Sequence, residues 1–68
     1  MLQELDTVAT LVDRLDIDLV AGEVGAITTA LAEGVYEVEF IDADGKTYAT
    51  AAFRSDELLK LHHRARAA

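Results

Sequence analysis

Two glutamates at alternate positions, Glu37 and Glu39, have the spacing that best suits acid–base chemistry in this sequence. On an extended strand such residues lie on one face, about 6–7 Å apart, which overlaps the carboxylate separations of glycosidases. A glycosidase also needs a cleft and a carboxyl group whose pKa is raised by an apolar pocket. A chain of 68 residues has little room for either. We therefore interpret the pair as a solvated strand face and predict no catalytic residue.

Asp42 and Asp44 precede a glycine in a pattern that is similar to half of a calcium-binding loop. When Gly45 takes the place of the glycine of such a loop, the first and last ligand positions fall on Phe40 and Ala51. Both positions need oxygen ligands, the last one a carboxylate. Two ligands are too few to hold the ion, so we interpret the segment as a β-turn.

His62, His63 and Ser55 are the other side chains with potential for chemistry. Adjacent histidines rarely converge on one ion without further ligands, so we predict no metal site. Ser55 is the only serine, and cysteine is absent. Because Asp56 and Glu57 follow it, Ser55 fits the N-cap of a short helical turn. We expect neither a catalytic nucleophile nor a cofactor, and no enzyme activity.

Two x-Gly pairs, Glu33-Gly34 and Asp44-Gly45, separate three segments with alternating apolar residues, 27–31, 35–41 and 46–53. Such pairs favour two-residue hairpin turns, which predicts a three-stranded meander. The implied register places Ile27 opposite Phe40 and puts the large apolar side chains on one face. A one-residue slip would invert every side chain, so this agreement supports the register. The predicted inner residues are Ile27, Leu31, Tyr36, Val38, Phe40 and Phe53. The predicted outer residues are Thr28, Glu37, Glu39 and Thr50.

The segments flanking this meander are less clearly patterned. Residues 2–15 have apolar positions at helical spacing, yet 7–12 are rich in β-branched residues, so helix and strand stay open on residue pattern alone. Residues 13–19 are expected to form a charged loop whose alternate Leu and Ile residues cover an open end of the fold. A bulge at Gly25 would let Val24 and Ile27 both point inward. Residues 58–61 continue the helical turn or form a last short strand.

The charge distribution limits the classes of partner. The net charge is −7, which argues against binding to nucleic acid or anionic membranes, since both depend on Lys and Arg. Residues 1–57 hold all thirteen acids, whereas 62–68 form a basic segment that we predict to be a flexible tail behind a domain of residues 1–61. The first residues lack the features of a secretory signal, and no apolar run suffices to span a bilayer. We expect a soluble cytoplasmic protein.

Five ordered motifs resemble a family of short uncharacterised bacterial proteins, a domain of unknown function. They are residues 5–9 (Leu-Asp-Thr-Val-Ala), 22–27 (Gly-x-Val-Gly-x-Ile), 36–40 (Tyr-Glu-Val-Glu-Phe), 44–49 (Asp-Gly-Lys-Thr-Tyr-Ala) and 56–59 (Asp-x-Leu-Leu). The second and third motifs are also similar to those of the nitrile hydratase β-subunit barrel and of KOW domains. The resemblance implies a mainly β fold, a small SH3-like barrel of about five strands with a long first loop and one short helical turn before the last strand. It favours a strand over 7–12 and brings no catalytic residues.

We expect a non-enzymatic, acidic protein-binding module. A basic protein partner suits its charge, and an antitoxin or immunity role is a concrete version of this expectation. An accessory or assembly subunit of a metalloenzyme, like the nitrile hydratase barrel, is the alternative. A KOW-type nucleic-acid-binding module is a further alternative that the charge of −7 disfavours.

The predicted protein-interaction face consists of Glu37, Glu39, Ile41 and Tyr48. In the predicted register Ile41 lies opposite Tyr48 on the side away from the core, with both glutamates nearby. This apolar spot is either packed under the loop of residues 13–19 or exposed to a partner. The partner is a basic protein or a second copy of the chain in a homodimer.

Overall fold

A computed structural model describes residues 2–62, which form one antiparallel sheet of five strands in the order β4–β3–β2–β1–β5. The strands are β1 (Thr7–Thr10), β2 (Val24–Ala32), β3 (Val35–Ile41), β4 (Thr47–Arg54) and β5 (Leu58–Lys60). Two 3-10 turns, Leu15–Ile17 and Ser55–Glu57, are the only helical elements of the described residues. The mainly β fold with a long first loop and a short helical turn before the last strand is confirmed. Residues 63–68 of the predicted tail lie outside the described part.

The first strand resolves the ambiguity of residues 2–15 in favour of extended structure. β1 pairs with β2 on one side and with β5 on the other, and its Val8, Ala9 and Thr10 are all buried. The first loop, residues 11–23, then crosses the sheet. Its Leu19 is fully buried and Ile17 packs against the core, as predicted, whereas Leu15 is 71% exposed.

The pairing of β3 with β4 follows the predicted register over most of its length. Tyr36 lies opposite Phe53, and Phe40 lies opposite Ala49. A register shift then follows Phe40, so that Ile41 lies opposite Thr47 and not opposite Tyr48. The predicted two-residue turn at Asp44-Gly45 is wrong because the Asp42 backbone N–H donates to the Lys46 carbonyl oxygen at 2.9 Å, which leaves the three residues 43–45 in the loop.

The pairing of β2 with β3 differs from the prediction. The turn at Glu33-Gly34 is confirmed, but irregularities after Ile27 and after Ala30 each shift the register. Ile27 therefore lies opposite Val38, and Gly25 takes the place opposite Phe40. Because the irregularity after Ile27 reverses the alternation of side chains, Leu31 is 51% exposed, and its predicted inward orientation is wrong.

Gly25 lies so close to β3 that there is no room for a side chain at this position. An added Cβ would be 2.6 Å from the Glu39 carbonyl oxygen and 2.9 Å from both Phe40 Cδ2 and Val38 Cγ1. Gly25 thus faces inward without the predicted bulge, and its neighbour Val24 faces outward with 47% exposure. The predicted inward orientation of Val24 is wrong.

The core lies on the inner side of the sheet and draws residues from every strand. Phe40 and Phe53 meet edge to face with ring centroids 5.8 Å apart. The buried cluster consists of Val8, Leu19, Ile27, Val38, Phe40, Phe53 and Leu58.

The turn before β5 is capped differently from the prediction. Ser55 is the first residue of the 3-10 turn and not its N-cap, which is Arg54. The Glu57 carboxylate accepts a hydrogen bond from the Arg54 backbone N–H at 2.9 Å. This bond back to the N-cap residue is the contribution of the third residue in a capping box, so the acid helps to close the turn although Ser55 does not cap it.

Candidate functional site

Glu37, Glu39 and Ile41 of the predicted interaction face share one side of β3. They alternate with the buried Val38 and Phe40, and alternate residues of a strand point to opposite faces. We call the side that carries the glutamates the outer face. The structure thus brings three of the four predicted residues together.

The two glutamates are held in place by threonines of the neighbouring strands. Thr28 Oγ1 donates a hydrogen bond to Glu37 Oε1 at 3.1 Å, and Thr47 Oγ1 donates to Glu39 Oε2 at 2.8 Å. No ion pair among residues 2–62 includes Glu37 or Glu39. The outer face therefore presents two anchored anionic groups without a cation of the described chain beside them.

Tyr48 is directed elsewhere. Its hydroxyl donates a hydrogen bond to Glu23 Oε1, and its ring centroid lies 6.4 Å from that of Phe40. This hydrogen bond and the charge of Glu23 raise the pKa of Tyr48 to about 12. The same hydrogen bond and one from the Val20 backbone N–H to Glu23 lower the pKa of that carboxyl group. Tyr48 is 47% exposed and links β4 to the end of the first loop.

An apolar row crosses four strands on the outer face. Leu59 lies opposite Ala9, and Ala9 lies opposite Val24. Since Gly25 lies opposite Phe40, the next residue along each strand brings Val24 beside Ile41. Leu59, Val24 and Ile41 are 51%, 47% and 44% exposed. We call Leu59, Ala9, Val24 and Ile41 the outer row.

The outer row includes three residues that are not part of the predicted interaction face, Ala9, Val24 and Leu59. The sequence alone predicts Val24 inside and assigns Leu59 to no face, because it leaves residues 58–61 open between helix and strand. The signal for Val24 was present in Gly25, since a glycine that must face a neighbouring backbone forces the residue before it to the opposite side of the strand.

The first loop does not cover Ile41. Its buried residue Leu19 belongs to the core cluster, and its Arg14 reaches the edge of β4, where Nη1 donates to the Ala52 carbonyl oxygen at 2.8 Å. The Arg14 guanidinium also lies 5.1 Å from the centroid of the Phe53 ring. Since Ile41 is nearly half exposed, the structure favours the second of the two alternatives, in which this spot is exposed.

Three of the four Lys and Arg side chains of residues 2–62 lie within 4 Å of an acid of the chain, and Lys46 is the exception. Arg54 Nε is 3.1 Å from Asp56 Oδ1, and Lys60 Nζ is 3.5 Å from Asp6 Oδ2. Exposed pairs of this kind contribute little to stability. They do, however, reduce the positive potential available to an anionic ligand, so the field over the outer face is set by the excess of carboxylates.

The segment that is similar to a calcium loop is a turn. Asp42 Oδ1 accepts hydrogen bonds from the backbone N–H groups of Asp44 at 2.9 Å and of Lys46 at 3.0 Å. Residues 2–62 contain no cluster of three or more His, Asp or Glu side chains that could hold a metal ion. His63 lies outside the described residues.

The comparisons with known proteins identify a family. Residues 4–60 match the family described as a domain of unknown function (DUF4926), and the chain belongs to that family. No curated protein and no solved structure matches the chain. Across residues 2–62, none of the helical elements has the length and apolar character needed to cross a membrane.

Proposed function

We propose that this chain is a non-enzymatic protein-binding module of the bacterial cytoplasm that docks on a basic protein through its outer face. The observation that carries the proposal is the outer row, in which three large apolar side chains are about half exposed beside two anchored glutamates. An apolar centre with charged groups at its rim is the usual composition of a protein interface.

The dimensions of the face are compatible with a stable interface. A standard interface covers about 800 Å² on each partner, which is about one sixth of the 4817 Å² surface of the described residues. Four neighbouring strands span about 15 Å from the first to the last. The outer row together with Glu37 and Glu39 covers about 15 Å by 13 Å, so these residues form the centre of such an interface and not its whole area.

Charge determines the class of partner. The chain has a net charge of −7, and both rim residues of the outer face are acids. Complementary charge accelerates encounter and disfavours acidic competitors. A small basic toxin or nuclease is the concrete partner that we favour, which makes this chain an antitoxin or immunity protein. The order of the strands and the long first loop support placing the fold among the SH3-like barrels.

The direct test replaces Ile41 with aspartate. After a partner has been identified by co-purification from the native host, we expect Ile41→Asp to weaken its binding, because a charge would be buried among the outer row. Leu15→Asp is the matched control, since Leu15 is 71% exposed in the first loop. Unchanged affinity of Ile41→Asp at an unchanged melting temperature would refute the proposal.

A second pair of variants tests the role of charge. Glu37→Gln combined with Glu39→Gln should weaken binding and reduce its salt dependence, whereas Glu33→Gln on the β2–β3 turn should not. The alternative partner of the outer face is a second copy of the chain in a homodimer. Sedimentation of the protein alone distinguishes this alternative from binding to a basic protein. In that case Ile41→Asp would convert a dimer into a monomer without any partner present.

A further inference from the structure

A groove lies on the other side of the molecule, at the end of the β2–β3 hairpin. Its volume is about 800 Å³, within the range of protein sites that hold ligands. Most of the side chains that line it are apolar, and Lys60 and Glu33 lie at its border. Its lining includes Leu2, Ala30, Ala32, Tyr36, Leu58 and Lys60.

The two irregularities of β2 produce this groove. The first of them turns Leu31 outward, and Ala30 and Ala32 line the groove in its place. Ala30 lies opposite Tyr36, which packs against the core. Small side chains therefore face a half-buried aromatic ring, and the hairpin leaves space where a leucine would have filled it.

A strand edge borders the groove. On the β1 side of β2, pairing runs from Val24 to Ala26. The last backbone hydrogen bonds there join Ile27 to Leu5 and Asp6. Beyond Ile27, β2 continues for five residues, and within residues 2–62 its backbone pairs there with β3 alone. Unpaired strand edges accept an added strand.

We propose that the groove and the free edge of β2 together bind an extended segment of a partner protein. The segment adds as a strand beside residues 28–32 and inserts one large apolar side chain between Ala30, Tyr36 and Leu58. In such recognition the backbone supplies affinity and the pocket selects the side chain.

The charges at the border indicate a basic segment. Lys60 lies close to Asp6, 3.5 Å from its carboxylate. Glu33 forms no ion pair among residues 2–62. A Lys or Arg next to the inserted apolar side chain would be complementary to Glu33. This inference is independent of the proposed function, because the groove and the outer row share no residue.

The probe for the test is a library of random octapeptides displayed on phage and selected on the full-length protein. Enriched peptides should contain a large apolar residue with Lys or Arg nearby. Ala30→Leu narrows the groove and should lower the affinity for a selected synthetic peptide by about tenfold or more. Ala43→Leu, at the exposed turn between β3 and β4, is the matched control and should bind normally.

Ile41→Asp should also bind the peptide normally, which separates this site from the outer face. Amide chemical shifts of the unsubstituted protein provide a readout that needs no variant, since the peptide should perturb residues 28–32. If Ala30→Leu fails to fold, Ala32→Leu replaces it. The proposal is overturned if no peptide is enriched, or if a selected peptide binds Ala30→Leu as tightly as Ala43→Leu. It is also overturned if the peptide perturbs the amide shifts of residues other than 28–32. Binding of small apolar molecules without any peptide would equally contradict it.

Discussion

Replacing Gly25 with alanine should destabilise the fold more than any other glycine substitution in the described chain. The new Cβ would lie 2.6 Å from the Glu39 carbonyl oxygen, which is backbone, and 2.9 Å from atoms of Phe40 and Val38. Overpacking of this kind typically costs about 1–3 kcal/mol. Because backbone cannot rotate away as a side chain can, we expect the upper end, about 3 kcal/mol.

That loss is large for a domain of this size. Domain stability of roughly 0.05–0.15 kcal/mol per residue gives about 3–10 kcal/mol for 68 residues. Each kcal/mol corresponds to about 4–8 °C in melting temperature for a 60–100-residue domain. Gly25→Ala should therefore melt about 12–24 °C below the parent in thermal unfolding followed by circular dichroism.

Gly45→Ala is the matched control. Gly45 has a φ of 81° and nothing within 4 Å of an added Cβ, so its substitution costs only the left-handed conformation, about 1 kcal/mol. Both variants lose the same chain entropy in the unfolded state, and that contribution cancels in their difference. If Gly25→Ala melts at or above Gly45→Ala, the contact of Gly25 with β3 is not as close as described.

Two further outcomes test the core and the link between β4 and the first loop. Phe40→Ala should cost about 3–5 kcal/mol, since Phe40 is fully buried against Phe53, and chemical denaturation should show Phe40→Leu to be markedly milder; equal stability of Phe40→Ala and the parent would contradict the described core. In a spectrophotometric titration Tyr48 should ionise near pH 12, and Glu23→Gln should bring its pKa back toward 10. Because the pKa is raised in the folded state, the stability contributed by Tyr48 should be complete below pH 10 and should be lost as pH rises from 10 to 12; a Tyr48 that ionises at its ordinary value in the parent would exclude the hydrogen bond to Glu23.

The strand pairings show which parts of the fold could be predicted from the sequence. From Glu37 to Phe40, β3 alternates between half-buried acids and the buried Val38 and Phe40, so a slip by one residue would bury charge, and the predicted register against β4 holds as far as Phe40. The segment 28–31 of β2 reads Thr-Thr-Ala-Leu, and its two faces differ little in polarity. A register with such faces is weakly specified, and the irregularities that shift it leave no clear signal in the residue pattern.

The candidate site was predictable to the extent that it depends on alternation along one strand. Glu37, Glu39 and Ile41 share a face because they are two residues apart. The hydrogen bond between Tyr48 and Glu23 joins residues 25 positions apart, and it depends on a register shift after Phe40. Local patterns contain no information on such a contact, so the fourth predicted residue was placed on the wrong neighbour, opposite Ile41.

The balance of buried and exposed apolar residues connects stability with binding. Seven side chains form the buried core cluster, whereas Leu59, Val24 and Ile41 remain about half exposed on the outer row. Full burial of a large aliphatic side chain contributes about 1.5–3 kcal/mol, so covering these three would add roughly 3 kcal/mol, comparable to the lower bound of the domain's own stability.

A ligand that binds only the folded state raises its apparent stability. The partner of the outer face should therefore raise the melting temperature of the domain, and the gain should be smaller for Ile41→Asp than for Leu15→Asp at equal partner concentration. The same measurement with the groove-binding peptide should give a gain that depends on Ala30 and not on Ile41. Two surfaces that act independently would show additive gains when both ligands are present. If both ligands together raise the melting temperature no more than one does, and if Ala30→Leu and Ile41→Asp each abolish this increase, the groove and the outer face belong to one interface.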